Sequence, residues 1–313
     1  MSESCLLESR LKRRSLVSIR DFTREDIELV LNKASQLEGR RSRDLEGRQV
    51  ALLFYENSTR TRNSFVTAVH HLGGTVCGFD SAEGTSVQKG ETLYDTIQMF
   101  SAYCDAIVLR HPRDGSARWA SDTASVPVIN AGDGKNQHPT QTLLDLYAFR
   151  ATQGRMEGLR VAMVGDLKYG RTVHSLSDAL AMFPGNVLHY VSPPSLSMPA
   201  GQVRSLRERG VEVHEHESLD CVLGEADVIY VTRIQRERMP DETEYEQVRG
   251  AYRLTASMLR KVKPNLRILH PLPRVDEIAP DVDPTPYAYY FQQAAGGVPV
   301  RKAVMWLLLG LGG

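Results

Sequence analysis

The chain alternates between short apolar runs and longer stretches in which apolar residues recur every three or four positions. The short runs predict buried strands, and the amphipathic stretches predict helices. In the stretch 91–103, for example, Leu93, Ile97 and Phe100 fall on one helical face, which Cys104 extends. The predicted strands are 50–55, 75–79, 105–110, 126–130, 161–164, 187–191, 228–231 and 268–269, and the predicted helices are 23–37, 61–72, 91–103, 139–150, 172–182, 202–209 and 301–311.

This alternation of strands and helices predicts the fold class. A strand followed by a helix and then by another strand is typical of a parallel sheet with helices on its faces. At 313 residues the chain is long enough for two domains of ordinary size. We therefore expect an α/β protein of two domains, each a parallel sheet flanked by helices, and we expect the helix 139–150 to link them.

Composition and charge narrow the range of functions. Lys plus Arg and Asp plus Glu balance at 38 each, so no overall field attracts nucleic acid or an anionic membrane. Residues 1–15 hold no apolar targeting segment, and the final apolar run 303–311 is shorter than the ~20 residues that cross a bilayer. The four cysteines, at 5, 77, 104 and 221, form no closely spaced pair. We expect a cytoplasmic protein that binds neither nucleic acid nor membrane.

Neither a metal nor a nucleotide cofactor is expected. The stretch 214–217 (His-Glu-His-Glu) alternates possible ligands, but this pattern is typical of the solvated side of a strand or turn. The glycine-containing stretch 165–171 lacks the spacing of a dinucleotide-binding turn. The stretch 132–135 (Gly-Asp-Gly-Lys) resembles part of a phosphate-binding loop of nucleotide hydrolases, but the complete motif is absent.

A phosphate site is the strongest chemical signal. Residues 58–62 (Ser-Thr-Arg-Thr-Arg) follow the apolar strand 50–55 and open an amphipathic helix. Two arginines, hydroxyl groups and the free N–H groups of a helix N-terminus then meet in one place. The sequence therefore predicts local recognition of an anion by a chain without net charge.

Other polar clusters also follow predicted strands. Because ligands bind beyond the carboxyl ends of the strands in such folds, we expect these clusters to lie together at a binding site. Taken singly each cluster is a weak signal: an arginine such as Arg110 is more often part of a surface ion pair, and His138 alone is equally typical of a structural histidine. The clusters are 58–62, 110–112, 132–141, 165–171, 232–235 and 270–273.

Together these clusters resemble the catalytic chains of aspartate carbamoyltransferases, within the aspartate/ornithine carbamoyltransferase superfamily. The resemblance runs from about residue 15 to about residue 309 and implies two α/β domains with the active site between them and at a subunit interface. It places a carbamoyl-phosphate-binding domain at 1–139 plus 295–313 and an aspartate-binding domain at 140–294. The matching motifs are STRTR at 58–62, TSVQKGET at 85–92, RHP at 110–112, HPTQ at 138–141, GDLKYGRTVH at 165–174, TRIQ at 232–235 and HPLPRVDE at 270–277.

The resemblance implies a carbamoyl-phosphate site without a metal or other cofactor. Arg60 would offset charge on the leaving phosphate, and Thr61, Arg110 and His138 would form an oxyanion hole for the carbonyl oxygen. Gln141 and backbone carbonyls after His270 would accept hydrogen bonds from the carbamoyl nitrogen. The residues implied to bind carbamoyl phosphate are Ser58, Thr59, Arg60, Thr61, Ser86, Arg110, His138, Gln141, Leu272 and Pro273, and those implied in catalysis are Arg60, Thr61, Lys89, Arg110 and His138.

For the second substrate, the resemblance implies an L-aspartate pocket and a shared active site. Arg171 and Arg233 suit its two carboxylates, and Gln235 supports the pocket. Ser86 and Lys89 would come from a neighbouring subunit, so a homotrimer is expected, with regulatory chains as possible further partners. The implied product is N-carbamoyl-L-aspartate, formed at an early step of pyrimidine biosynthesis.

Two alternatives stay open at this point. The first is a carbamoyltransferase with another acceptor such as ornithine, whose enzymes have HCLP where this chain has HPLP at 270–273, and whose cationic substrate Arg233 would repel. The second is a non-catalytic assembly subunit on the same fold. Such a subunit would be expected to have lost Arg60, Lys89 or His138, and this chain keeps all three.

Overall fold

A computed structural model describes residues 8–234 and 252–311. The chain divides into two compact units. One comprises the chain up to Leu144 together with the segment from Gly296 onward, and the other is Asp145–Ala295.

The first unit is built on a four-stranded parallel sheet with strand order β2-β1-β3-β4. All residues of β1 after the first are buried, because helices cover both faces of the sheet. The strands are β1 (Gln49–Phe54), β2 (Thr75–Phe79), β3 (Ala106–His111) and β4 (Val128–Asp133), and the helices are α1 (Arg24–Leu37), α2 (Thr59–His71), α3 (Leu93–Tyr103), α4 (Ser116–Thr123) and α5 (Pro139–Gln153), within which the division between the units falls.

The second unit is built on a five-stranded parallel sheet with strand order β7-β6-β5-β8-β9. Its strands are β5 (Arg160–Val164), β6 (Val187–Val191), β7 (Glu212–His216), β8 (Val228–Val231) and β9 (Arg267–Leu269), and its helices are α6 (Arg171–Leu180), α7 (Ala200–Glu208) and α8 (Tyr290–Ala295). Short 3-10 helices occur at Ile19–Asp21, Ser86–Lys89, Pro194–Leu196, Leu219–Cys221, Ala256–Lys261 and Pro280–Val282.

The last helix, α9 (Gly297–Leu308), belongs to the first unit. It packs against α1 and α2, and ten of its twelve residues are buried. Its Lys302 Nζ donates hydrogen bonds to the carbonyl oxygens of Leu37, at 2.5 Å, and of Arg40. A buried ammonium group therefore binds one carbonyl at the C-terminus of α1 and a second in the turn that follows the helix.

Local sequence signals account for most of these elements. Helix α1 begins with a reciprocal capping box, in which the N–H of Asp26 donates to Thr23 Oγ1 and the N–H of Thr23 donates to the Asp26 carboxylate. The predicted apolar face of 91–103 is confirmed, since Ile97 and Cys104 are buried in a core against which Leu93 and Phe100 pack.

The predicted fold class is confirmed: both sheets are parallel and flanked by helices. All eight predicted strands occur within three residues of the predicted bounds. Strand β7 and helices α4 and α8 were not predicted. The sequence of β7, Glu-Val-His-Glu-His, gives no apolar run because the strand lies at the edge of its sheet and only Val213 among its residues is buried.

Candidate active site

The strand order of the first unit brings its polar clusters to one place. Strand β1 has β2 on one side and β3 on the other, so the chain leaves β1 and β3 in opposite directions across the sheet. Such a switch point opens a crevice at the carboxyl ends of the two strands. Residues 58–62 follow β1, and Arg110 lies at the end of β3. Both predicted cationic clusters therefore flank the crevice.

The residues after β1 form the N-terminus of α2. Ser58 is the N-cap residue but makes no capping hydrogen bond with its side chain. Thr59 and Arg60 are exposed in the first turn, while Thr61 is buried. The hydroxyl of Ser58 and the guanidinium of Arg60 thus stand beside N–H groups at the positive end of a helix, an arrangement that favours a bound anion.

Arg110 joins the ends of three strands. Its Nη1 donates a hydrogen bond to the carbonyl oxygen of Ala131 in β4 over 3.3 Å, and its Nε lies 3.5 Å from Glu56 Oε2, just after β1. Burial lowers the pKa of Arg110; Glu56 opposes this shift and the nearby charge of Arg60 adds to it. Partial desolvation at the crevice also lowers the pKa of Arg60, although its side chain is exposed. Both guanidinium groups nevertheless remain protonated at neutral pH, because their ordinary pKa is so high.

His138 and Gln141 lie at the start of α5, and both are buried. The carbonyl of His138 accepts hydrogen bonds from the N–H groups of Gln141 and Thr142, at 2.9 and 3.2 Å. The loop before His138 is held by the buried carboxylate of Asp133, which accepts from the Gln137 N–H at 3.1 Å. The position of His138 is therefore set by a loop that is tied at both ends to the buried carboxylate of Asp133.

Ser86 and Lys89 occupy a separate part of the first unit. They lie in the 3-10 helix Ser86–Lys89 that follows β2, and both are exposed. Thr85 caps this helix through its hydroxyl, and Gly90 ends it in the left-handed conformation at φ 94°. The segment therefore has a defined conformation and presents a serine and a lysine outward.

The second unit repeats the switch-point arrangement. Strand β5 lies between β6 and β8, so the crevice opens at the carboxyl ends of β5 and β8. Arg171 begins α6 after β5, and Arg233 follows β8; both are half-buried. Gly165, at φ +111°, ends β5, where a Cβ would come within 2.3 Å of the Thr232 carbonyl oxygen. Only glycine permits this approach of the two strand ends. Gln235 lies outside the described residues.

Leu272 and Pro273 follow β9, the strand next to β8. The peptide bond between them is cis, and Leu272 has a positive φ of 54°. The N–H of Leu272 donates to His270 Nδ1 over 2.8 Å. This loop is thus tied to a buried histidine of the motif at 270–277.

The structure assigns contacts to residues to which the sequence analysis gave no individual role. Glu56 pairs with Arg110, and Asp133 holds the loop before His138. Glu277 lies 2.6 Å from His270 Nε2. It is the last residue of the HPLPRVDE motif, and its place in that motif was the one sequence signal for it.

Within 8–234 and 252–311, no group of three or more His, Cys, Asp or Glu side chains is arranged to hold a metal ion. In the same ranges, no helix has both the length and the apolar character needed to cross a bilayer.

Two parallel α/β units, each with arginines at the switch point of its sheet, are typical of a class of proteins that bind anionic ligands. Residues 14–151 match the family model described as aspartate/ornithine carbamoyltransferase, carbamoyl-P binding domain. Residues 157–308 match the model described as aspartate/ornithine carbamoyltransferase, Asp/Orn binding domain. The chain therefore belongs to the aspartate/ornithine carbamoyltransferase family.

Individual relatives show which members of this family the chain resembles. The aspartate carbamoyltransferase catalytic subunit of Thermococcus onnurineus is 55% identical over 305 residues, which cover 96% of this chain and 98% of the relative. The catalytic subunit of M. jannaschii aspartate transcarbamoylase is 48% identical, with a TM-score of 0.88 over 93% of this chain and 96% of that one. The aspartate transcarbamoylase of Trypanosoma cruzi in complex with carbamoyl phosphate and aspartate is 37% identical, with a TM-score of 0.90 over 96% of each chain.

Proposed function

We propose that this chain is the catalytic chain of an aspartate carbamoyltransferase. It transfers the carbamoyl group of carbamoyl phosphate to the α-amine of L-aspartate and releases N-carbamoyl-L-aspartate and phosphate. The observation that carries this proposal is the 55% identity, over nearly the whole chain, to a catalytic subunit of that name. Arginines at both switch points support it, because both substrates are anions.

Carbamoyl phosphate binds in the first unit. Its phosphate lies at the N-terminus of α2, where Ser58, Thr59, Arg60 and Thr61 supply donors and positive charge. Arg60 offsets the charge that builds up on the leaving phosphate. Ser86 and Lys89 of a neighbouring subunit complete this site.

The carbamoyl group is recognised on both of its polar ends. Thr61, Arg110 and His138 donate to the carbonyl oxygen and stabilise the negative charge that it gains when the amine attacks. Gln141 and the backbone carbonyls at Leu272 and Pro273 accept hydrogen bonds from the carbamoyl nitrogen.

Aspartate binds through its two carboxylates, to Arg171 and Arg233, with Gln235 and Lys89 in support. A guanidinium fork matches a carboxylate in two hydrogen bonds, whereas it would repel the cationic side chain of ornithine. The relatives named above are aspartate enzymes, which also favours this acceptor over ornithine. Retention of Arg60, Lys89 and His138 favours a catalytic chain over an assembly subunit.

The reaction proceeds by positioning and electrostatic stabilisation. The neutral α-amine of aspartate attacks the carbamoyl carbon, and the C–O bond to phosphate breaks. The amine loses one of its two protons as the new C–N bond forms and keeps the other in the product, and the departing phosphate is a suitable acceptor for the proton that is lost. No side chain forms a covalent intermediate with the carbamoyl group.

The shared site requires an oligomer, and we propose a homotrimer in which each chain donates Ser86 and Lys89 to its neighbour. Both residues are exposed on a defined 3-10 helix, as donation to a neighbour requires. The chain acts in the cytoplasm at an early step of pyrimidine biosynthesis. Regulatory chains are possible further partners.

A direct assay tests the proposed reaction. The purified chain is incubated with carbamoyl phosphate and either aspartate or ornithine, and both phosphate release and the carbamoylated product are measured. We expect N-carbamoyl-L-aspartate with aspartate and no product with ornithine. Product with ornithine alone would reject the acceptor assignment, and no product with either amine would favour the assembly subunit.

A further inference from the structure

The four residues after β9, His270 to Pro273, present backbone acceptors without an unused backbone donor. Pro271 and Pro273 have no N–H group. The N–H of His270 donates to Gln293 Oε1 over 2.8 Å, and the N–H of Leu272 donates to His270 Nδ1 over 2.8 Å. Every backbone donor of this stretch is therefore either missing or already used, so the stretch can offer a ligand only backbone acceptors, such as the carbonyl oxygens of Leu272 and Pro273.

The protonation of His270 follows from these contacts. Because Nδ1 accepts the Leu272 N–H, it carries no proton, so the proton lies on Nε2, which donates to Glu277 Oε1 over 2.6 Å. Burial raises the pKa of Glu277, but hydrogen bonds from His270 and from backbone N–H groups outweigh it, so the pKa is lowered overall. Glu277 therefore stays an acceptor, and it fixes the tautomer of His270 that takes up the Leu272 N–H.

Gln293, which accepts the hydrogen bond from the His270 N–H, is also fixed in orientation. Gln293 Nε2 donates to Asp145 Oδ1 over 2.6 Å, which turns Gln293 Oε1 toward the His270 N–H. Asp145 in turn accepts from the Tyr230 hydroxyl over 2.8 Å. Gln293, Asp145 and Tyr230 are each at most 1% exposed. In such a dry environment a change of hydrogen-bond direction is costly, so the network is rigid.

We propose that Glu277 and Gln293 are positioning residues that keep His270–Pro273 an all-acceptor segment, and that this segment selects a substrate ending in an NH₂ group over one ending in a methyl group. The inference rests on the proposed function, in which carbonyls of this loop receive the carbamoyl nitrogen. An NH₂ group donates hydrogen bonds to those carbonyls. A methyl group displaces water from the carbonyls without donating a hydrogen bond to them.

Two stable phosphonates test whether the segment distinguishes an NH₂ group from a methyl group. Phosphonoacetamide and 2-oxopropylphosphonate differ only in carrying NH₂ or CH₃ on the carbonyl carbon, and calorimetry on the complete chain gives a dissociation constant for each. We expect the wild-type chain to bind the amide about 10-fold more tightly than the ketone. We expect His270→Ala and Glu277→Gln to reduce that ratio to about 2-fold or less, since either change frees or redirects a donor in the loop.

Matched variants distinguish a positioning role in the loop from a general disruption of the structure. An asparagine side chain accepts a hydrogen bond from the N–H two residues on, so His270→Asn should retain most of the preference that His270→Ala loses. Glu225→Gln makes the same chemical change at a half-exposed glutamate paired with Arg160, and it should leave the ratio unchanged. If Glu277→Gln does not fold, the pair of His270 variants carries the comparison.

The outcomes are distinct. A wild-type chain without preference for the amide overturns the inference, as do folded His270→Ala and Glu277→Gln chains that keep the wild-type ratio or lose affinity equally for both phosphonates. Because binding needs no turnover, the result is independent of the assay for N-carbamoyl-L-aspartate. A chain that prefers the amide but forms no product would reject the proposed reaction and retain the selective loop.

Discussion

The side-chain amide of Asn130 donates a hydrogen bond to Asp133 Oδ1 over 2.8 Å, and both residues are completely buried. The same carboxylate accepts from the N–H groups of Gly115, at 3.0 Å, and Gln137, at 3.1 Å, and from the Asn136 amide at 3.0 Å. One carboxylate thus ties the end of β4 to the start of α4 and to the loop that leads to the proposed oxyanion hole.

We expect Asp133→Asn to destabilise the fold and to lower activity. An amide at this position must turn its NH₂ group toward other donors, and leaving such buried groups unsatisfied costs about 3 kcal/mol. Urea unfolding measures the loss of stability, and kcat measures the effect on the site. Asp122→Asn, at an exposed position of α4, is the control and should change neither quantity. A wild-type unfolding curve for Asp133→Asn would contradict the role given to this carboxylate.

Arg60→Ala should lower kcat by about 100-fold or more, because the proposed site loses the charge that offsets the leaving phosphate. The fold should persist, since Arg60 is exposed in the first turn of α2. Steady-state assay and a thermal melt test the two halves of this prediction. Arg43→Ala removes an arginine that is 85% exposed and should leave kcat unchanged. Near-normal turnover by folded Arg60→Ala would exclude the proposed role.

Mixing two inactive variants should restore activity. Chains with Lys89→Ala keep Arg60, and chains with Arg60→Ala keep Lys89, so a mixed trimer assembles some sites from two intact halves. Random exchange would place the two intact halves together in about a quarter of the sites. The measurement is turnover after dissociation and reassociation, with exchange followed by mass spectrometry. Demonstrated exchange without recovered activity would reject the shared site.

Acid should weaken the fold through His189, a residue of β6 that is 2% exposed. Burial lowers the pKa of His189 below its ordinary value of 6.5; Glu225 opposes the shift, and the charges of His214, His216 and Arg160 add to it. The unfolded chain therefore binds the proton more readily than the folded one. The stabilisation is complete above about pH 6.5 and is lost as the pH falls below 6.5 toward the folded pKa.

The free energy of unfolding, measured in urea, should consequently be lower at pH 5.5 than at pH 7.5. In His189→Gln this difference should shrink, because the variant has no imidazole to protonate at that position. His70→Gln, at an exposed position of α2, should retain the wild-type difference. An unchanged difference in folded His189→Gln would show that other groups control the response.

Elements with a strong local pattern were predictable from the sequence. The strands 187–191 and 228–231 match the structure residue for residue, because each contains apolar residues that are buried in its sheet. The strand 75–79 also matches, although it lies at the edge of its sheet and none of its residues is fully buried. Strand β7 was missed because it is bound by backbone pairing to β6 and has little apolar content to reveal it. Helices α4 and α8 have only eight and six residues, too few for a clear helical period.

The sequence motifs identified the functional residues at the strand ends, but they did not identify the residues that hold these in place. Glu277 was visible only as the last letter of a motif. Gln293 and Asp145 are separated by 148 positions in the chain, and no local pattern pairs an amide with a carboxylate over such a distance. Their hydrogen bond depends on the packing of α5, which carries Asp145, near α8, which carries Gln293, and local sequence does not specify this packing.

Helix α9 has a consequence for how the molecule is made. The strands of the first unit precede those of the second in the chain, yet the surface of α1 and α2 that α9 covers stays uncovered until residues 297–308 have been synthesised. The entire second unit emerges during that interval and is free to fold first. The nascent chain therefore exposes these surfaces of α1 and α2 while residues 145–296 are synthesised, and α9 covers them afterwards.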